Sequence, residues 1–308
     1  AAANLAFESY ATSPTGVLGR DLETLERGGD PRYAAPTRAQ LDAVTPEGFR
    51  RVWEPILKQG PVEVLVFGDF DRTATVQALA GTFGALPPRV PLPDALAARA
   101  PGFATPGETT VRTHRGDASQ AAAVVQWPSG GGVANLRESR QLQILVQLFN
   151  NRLLDAMRER AGASYAPVVR SDWPTDVDGG GRISAMAQLQ PKDVPIFFRE
   201  AQRIASELAT APAAQDELDR VTEPLRQYIS RASTGNLFWL YQLEGATIDP
   251  RIVAYLRPLL ADYSRTTPQA MQALAQKYFG TQRPWQLAVI PEGQTLAASP
   301  PRNARSNR

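Results

Sequence analysis

Arg158 and Tyr165 are the two side chains whose types and spacing could act on a substrate, within the stretch RLLDAMRERAGASYAPVV. A guanidinium offers paired donors to a carboxylate or a peptide backbone. A phenol can donate to the oxyanion that develops on an attacked carbonyl. Neither group activates water, so the pair can assist a hydrolysis but cannot start one. On residue types alone, Arg158-Glu159-Arg160 also reads as a solvated helix end, where cations favour the dipole. Ser164 is a decoy. Gly162-Ala163-Ser164-Tyr165-Ala166 falls one residue short of a Gly-x-Ser-x-Gly elbow, which needs strand, nucleophile and helix in that order. Here the order is helix, turn, strand.

The remaining chemistry is restricted by composition. His114 is the single histidine and cysteine is absent. A catalytic zinc normally takes three protein ligands with His prominent, so this chain cannot assemble one. Without cysteine there are no disulfides, thiolate sites or Cys nucleophiles. His114 lies in THRGD, a polar stretch entering a strand, and is expected to be exposed or singly hydrogen-bonded. The run Gly130-Gly131-Gly132 lacks the Gly-Lys-Ser/Thr ending of a phosphate loop and reads as a plain turn. Asp176 and Asp178 read as turn residues, since calcium takes six to eight oxygens. Net charge is +2, from 33 basic and 31 acidic residues that are interspersed, which argues against nucleic acid as a partner. No segment approaches the ~18 to 20 apolar residues of a membrane span, and AAANLAFESY carries no signal-peptide pattern.

The elements that must position Arg158 and Tyr165 follow from periodicity. Leu142, Leu145, Val146, Phe149, Leu153, Ala156 and Met157 recur at helical spacing through residues 136–160, and Gly162 supplies a C-cap. Tyr165, Val168, Val169 and Trp173 then read as a strand. Residues 121–127 form a strand before the helix, and 182–189 alternate as the second arm of a hairpin. Helices are expected from Pro191 to Leu208, from Asp216 to about Ser233, and from Pro268 behind the N-cap Thr267. Residues 285–290 close the unit as a strand. The order β-α-β-β-α-α-α-β predicts an α+β two-layer sandwich, a largely antiparallel sheet with helices packed on one face.

Part of this pattern occurs twice. Thr45-Pro46 opens a helix with Phe49, Val52, Trp53, Ile56 and Leu57 inward, followed by Gly60-Pro61 and the strand-like run at 62–67. A further helix spans 72–83 behind Asp71. Thr267-Pro268, Gly280-x-x-x-Pro284 and 285–290 repeat that order. Leu25-Glu26 and Asp30-Pro31-Arg32 match Leu243-Glu244 and Asp249-Pro250-Arg251. A period this long means duplicated domains, not a solenoid. The expected organisation is 1–86 as the back half of a first domain whose front half is missing, 87–108 as a Pro/Ala-rich linker, 109–293 as a complete last domain, and 294–308 as a compositionally disordered tail.

RLLDAMRERAGASYAPVV, NLFWL, DPR, TPQAMQALAQKYF and AVIPEG, in that order, resemble the last domain of pitrilysin/insulinase zinc metallopeptidases, the inverzincins, and most nearly their bacterial periplasmic branch. The block from GDPRY to FGALPPR resembles the back half of the preceding homologous domain. The resemblance spans most of residues 20–293 and implies the duplicated two-layer fold of that family. It implies that the His-x-x-Glu-His zinc motif, absent here, belongs to an N-terminal catalytic half or a zinc-bearing partner subunit, with no cofactor in this chain. It also implies that Arg158 and Tyr165, spaced R-x6-Y, bind substrate at that zinc site, with Tyr165 assisting catalysis. Asn236 and Trp239 are read as packing and capping residues. The implied substrate is a peptide or small unfolded protein and the implied compartment the periplasm. The alternative is a non-catalytic binding or scaffolding subunit on the same fold.

Overall fold

The computed structural model describes residues 7–91, 101–161 and 166–296. Its centre is a five-stranded sheet in the order β1-β5-β2-β4-β3, formed by β1 (Thr110–His114), β2 (Ala121–Ser129), β3 (Val168–Asp172), β4 (Gly181–Leu189) and β5 (Trp285–Pro291). All pairings are antiparallel except β1 with β5. The sheet is therefore largely antiparallel, as the α+β reading requires. β1 has no counterpart in that reading. Its first four residues alternate between half-buried and exposed at the sheet margin and only His114 is buried, so TVRTH carries little hydrophobic signal.

The long helix α5 (Leu136–Ala161) lies on one face with α6 (Val194–Thr210), α7 (Gln215–Ala232) and α11 (Pro268–Phe279). All seven apolar positions read from the sequence of α5 are buried. They meet Ala121, Ala123, Val125 and Trp127 of β2, while Ala122 and Val124 point to the other face, as the period-2 pleat requires. Trp127, Phe149 and Phe279 form an edge-to-face trio with centroids 5.1–5.7 Å apart. Burial on both faces explains why β2 reads as a continuous apolar run rather than an alternating one.

The second face is covered by a helix from far upstream. Ser13 accepts from the Gly16 amide at 3.0 Å and starts α1 (Pro14–Glu26). Val17, with Leu18, Leu22 and Leu25, packs on Ala122, Val124, Leu287 and Val289. Part of the presumed linker follows this surface: Ala104 is buried and its amide donates to the Glu26 carbonyl at 3.0 Å. Residues 92–100, and 297–308 of the presumed tail, lie outside the described residues.

Between α1 and the linker come α2 (Arg38–Asp42), α3 (Pro46–Leu57) and α4 (Arg72–Gly81); after α7 come α8 (Asn236–Gln242), α9 (Arg251–Leu256) and α10 (Leu259–Ser264). Two local structures each occur twice. Thr45 caps α3 by accepting from the Gly48 amide at 3.0 Å, and Thr267 caps α11 by accepting from the Ala270 amide at 3.1 Å. Both helices run for 12 residues from a proline. Asp30 and Asp249 each accept from the amide of the Arg two positions on at 3.0 Å, and from that Arg's guanidinium. Losing the Thr267 hydroxyl in Thr267→Ala is expected to lower stability by about 1 kcal/mol, read as a shift in the urea midpoint at constant m-value.

One expected strand is not in the sheet. Residues 62–67 have no regular secondary structure and no backbone pairing among the described residues, and Val62, Val64 and Val66 are exposed. An apolar run needs neighbours on both edges to become a buried strand, and the described fold places none there.

Candidate functional site

Arg158 stands three residues before the end of α5, exposed and without an ion-pair partner among the described residues. Its exposure follows from helix phase: Met157 and Ala156 take the buried face, and the next position turns outward. Tyr165 lies outside the described residues, as do Gly162, Ala163, Ser164 and the side chain of Arg160. The chain resumes at Ala166 and enters β3, the edge strand beside α5. Asn150 on α5 accepts from the Val169 amide at 2.9 Å, which pins that strand to the helix. The helix-to-strand corner read from the sequence is thus the end of α5 that carries Arg158.

The last turns of α5 are braced from the side. Arg152 donates two bonds of 2.7 Å to the Glu217 carboxylate of α7, a bidentate pair that fixes orientation as well as position. A hollow of about 260 Å³ runs beside it, lined by Arg152, Asp155, Glu159, Arg203 and Glu207.

A larger hollow, about 930 Å³, opens at the opposite end of α5 between Arg140, Gln143, Tyr228, Tyr241, Asp249 and Tyr263. Sequence reading gave no sign of it, because its walls come from the start of α5, the β3–β4 turn and α7 to α10. Arg140 is buried there, donating to Asp262 at 2.8 Å and to the Tyr255 carbonyl at 2.6 Å. Burial pushes the neighbouring Tyr263 phenol up to about 12, opposed by Arg140 and reinforced by Asp262. A group held protonated in the fold but released at its ordinary value in the unfolded chain stabilises the fold fully below pH 10. That contribution is lost as pH climbs to 12. Tyr263→Phe is therefore expected to flatten the fall of unfolding free energy over that window. An unchanged slope would contradict the assignment.

The other residues considered for chemistry are structural. His114 is buried, not exposed: its Nδ1 accepts from the Gly116 amide at 3.1 Å and its Nε2 donates to the Gln120 carbonyl at 2.9 Å. The β1–β2 turn folds over the ring, which the polar sequence THRGD does not announce. Gly131 and Gly132 pack against the β3–β4 turn so closely that a Cβ on Gly131 would meet the Gly179 backbone at 2.5 Å. Gly132 has φ +86°, so the run is a packing requirement between two turns. Asp176 and Asp178 are exposed in that turn. Gly235, not Asn236, precedes α8 as its cap, and the Trp239 indole donates to the Ser233 carbonyl at 2.8 Å, capping α7.

Among the described residues no group of three His, Asp or Glu side chains is placed to hold a metal ion. The one imidazole has both ring nitrogens engaged, so the described donors do not fit zinc. No helix among the described residues is long and apolar enough to cross a membrane.

The same architecture recurs in solved structures. A peptidase M16 inactive domain from Pseudomonas fluorescens superposes with TM-score 0.73 at 17% identity, over 94% of this chain and 69% of that one. The ferredoxin protease FusC, in complex with Arabidopsis ferredoxin, gives TM-score 0.69 at 15% identity, over 91% of this chain and 30% of its own. The periplasmic protease PqqL from Escherichia coli gives 0.57 at 15%, over 73% and 25%. No curated protein sequence matches the chain. The family model described as the peptidase M16 inactive domain matches residues 43–225. That match spans more than half of the sequence, and the chain belongs to the M16 peptidase family through its inactive domain.

Proposed function

We propose that this chain is the zinc-free half of an M16 peptidase and that it presents Arg158 and Tyr165 to a peptide or small unfolded protein. The hydrolytic centre is supplied by an N-terminal catalytic half or a partner subunit. The observation that carries this reading is Arg158: an exposed guanidinium near the end of α5 with no ion-pair partner among the described residues, where no group of three His, Asp or Glu side chains is placed to hold a metal. Arg158 holds the substrate backbone or a carboxylate through its fork, and Tyr165 donates to the oxyanion. PqqL, a periplasmic protease of the same fold, supports a periplasmic setting.

The test is reconstitution. The chain alone is expected to cleave no peptide, and the assembled two-half protein is expected to do so. Wild-type turnover by the assembled Arg158→Ala, Tyr165→Phe double variant would overturn the reading. The description of the matched domain as inactive favours one second reading, a non-catalytic scaffolding subunit. Under it no assembly containing this chain hydrolyses peptides, yet complex formation persists.

A further inference from the structure

The hollow of about 930 Å³ at the start of α5 is faced by one stripe of that helix: Leu136, Ser139, Arg140 and Gln143, at the i, i+3, i+4, i+7 spacing. Leu225 and Ile229 of α7 and Phe238 of α8 supply an apolar wall. Tyr228, Tyr241 and Ile248 stand at the mouth, 62%, 70% and 60% exposed. Ligand pockets run from about 300 to 1,000 Å³, so this one is at the roomy end. Large apolar side chains left exposed around one opening mark an interaction site, whereas scattered single ones do not.

Six charged side chains line the same hollow: Arg140, Arg251, Asp176, Asp178, Glu244 and Asp249. Both cations are already engaged. Arg140 donates to Asp262 at 2.8 Å, and Arg251 forks onto Asp249 with bonds of 2.9 and 2.7 Å. Asp176, Asp178 and Glu244 make no hydrogen bond or ion pair among the described residues, and Asp178 acts on Arg251 only through space. Three uncompensated carboxylates therefore set the sign of the field, which attracts cations and repels anions. They do not converge as a metal site, since no group of three His, Asp or Glu side chains among the described residues is placed to hold an ion. Carboxylates spread along an apolar rim suit organic cations carried on an apolar body.

The floor adds a second requirement. Ser139 is 8% exposed, yet its hydroxyl makes no hydrogen bond among the described residues. A buried polar group without a partner calls for an explanation, and this one borders the hollow. One turn on, the Gln143 side-chain oxygen accepts from the Tyr263 hydroxyl, and its amide nitrogen has no partner among the described residues. A hydroxyl that can accept and an amide that can donate, one helical turn apart, complement the N–H and C=O of a peptide group.

We propose that this hollow binds a peptide segment in which an aromatic or large aliphatic side chain stands beside Lys or Arg. The apolar side chain enters between Leu225, Phe238 and Ile248, a peptide group meets Ser139 and Gln143, and the cations face Asp176, Asp178 and Glu244. Arg158 lies 19 residues beyond Ser139 (139 to 158) on the same helix, about 28 Å away at ~1.5 Å per residue. The site therefore requires nothing of Arg158 or Tyr165.

Calorimetric titration of the 308-residue chain tests this with three peptides blocked at both ends: acetyl-Phe-Lys-Phe-Lys-amide, its Gln counterpart and its Glu counterpart. The Lys peptide is expected to bind ~10-fold more tightly than the Gln peptide, the combined effect of two exposed charge pairs. That advantage should disappear at high salt, and the Glu peptide should not bind. Asp176→Asn, Asp178→Asn and Glu244→Gln together should abolish the advantage while leaving the Gln peptide's affinity and the melting midpoint unchanged, because these carboxylates make no ion pair in the fold. Tyr241→Ala with Ile248→Ala should weaken the Lys and Gln peptides alike. Hydrogen exchange with the Lys peptide bound should slow at residues 136–143 and 241–252. Four results overturn the proposal: no binding of the Lys peptide, a Glu peptide that binds as well, protection confined to residues 152–161, or phenethylamine matching the Lys peptide, which would make this a site for small amines.

Discussion

Tyr165→Phe is expected to lower kcat of the assembled peptidase by about 100- to 1000-fold, the usual loss when one oxyanion donor is removed. The substitution deletes a single hydroxyl and keeps the ring, so only the donor is lost. Because the oxyanion exists only on the way to the tetrahedral intermediate, the loss should fall on kcat and leave KM nearly unchanged. Arg158→Ala should behave differently. A guanidinium that grips backbone or carboxylate contributes in ground and transition states alike, so its removal should raise KM more than it lowers kcat. Arg158 lies at an exposed helix end outside the buried face, and its variant should unfold with the wild-type midpoint. Equal effects of both variants on KM alone would remove Tyr165 from the chemistry and leave a binding surface.

The largest stability effect is expected at Glu26. Its carboxylate accepts from Arg27 at 2.8 Å and Gln126 at 2.6 Å, and pairs with Arg182. Arg182 reaches on to Asp172 at 3.0 Å, and Gln126 to Ser184 at 2.9 Å. Glu26 and Arg182 are both buried. This network fastens the end of α1 to β2 and β4. Glu26→Ala leaves the Arg182 charge in a dry setting with only the exposed Asp172 beside it, and is expected to cost about 3–5 kcal/mol. The double variant Glu26→Met, Arg182→Met removes both charges and restores apolar volume, so it should lie well above the single variant. A thermodynamic cycle on the two positions isolates the coupling. A double variant as unstable as the sum of its singles would mean that the pair carries no specific interaction.

These two sites differ in how visible they were. Arg158 and Tyr165 are neighbours along the chain, and the placement of Arg158 is a local matter of helix phase. Helix phase is written in Leu142, Phe149, Leu153 and Met157, which recur at the period of an amphipathic helix, so α5 and the exposure of Arg158 follow from residue order alone. The hairpin, the capped helices and the largely antiparallel sheet are legible for the same reason. Glu26 is different. Leu25-Glu26 stands out in the sequence only as one mark of the repeat, and its partner Arg182 is remote in sequence. His114 likewise gave a polar, exposed reading, because the turn that buries it returns only at Gly116 and Gln120.

The sequence by itself determined the local periods, the caps, the residue types at the corner, and the single histidine without cysteine, since each is fixed by composition or by neighbours a few positions apart. Tertiary structure alone decided which apolar surfaces are satisfied. Phe49 and Met271 occupy the same step of nearly the same helix, yet one is exposed and the other buried. Likewise 62–67 and β5 are both short apolar runs, and only the second is a strand. The physical reason is that burial and backbone pairing belong to the partner as much as to the segment, and α5, α6, β1 and β2 cover α11 and β5 while no described element buries α3 or residues 62–67.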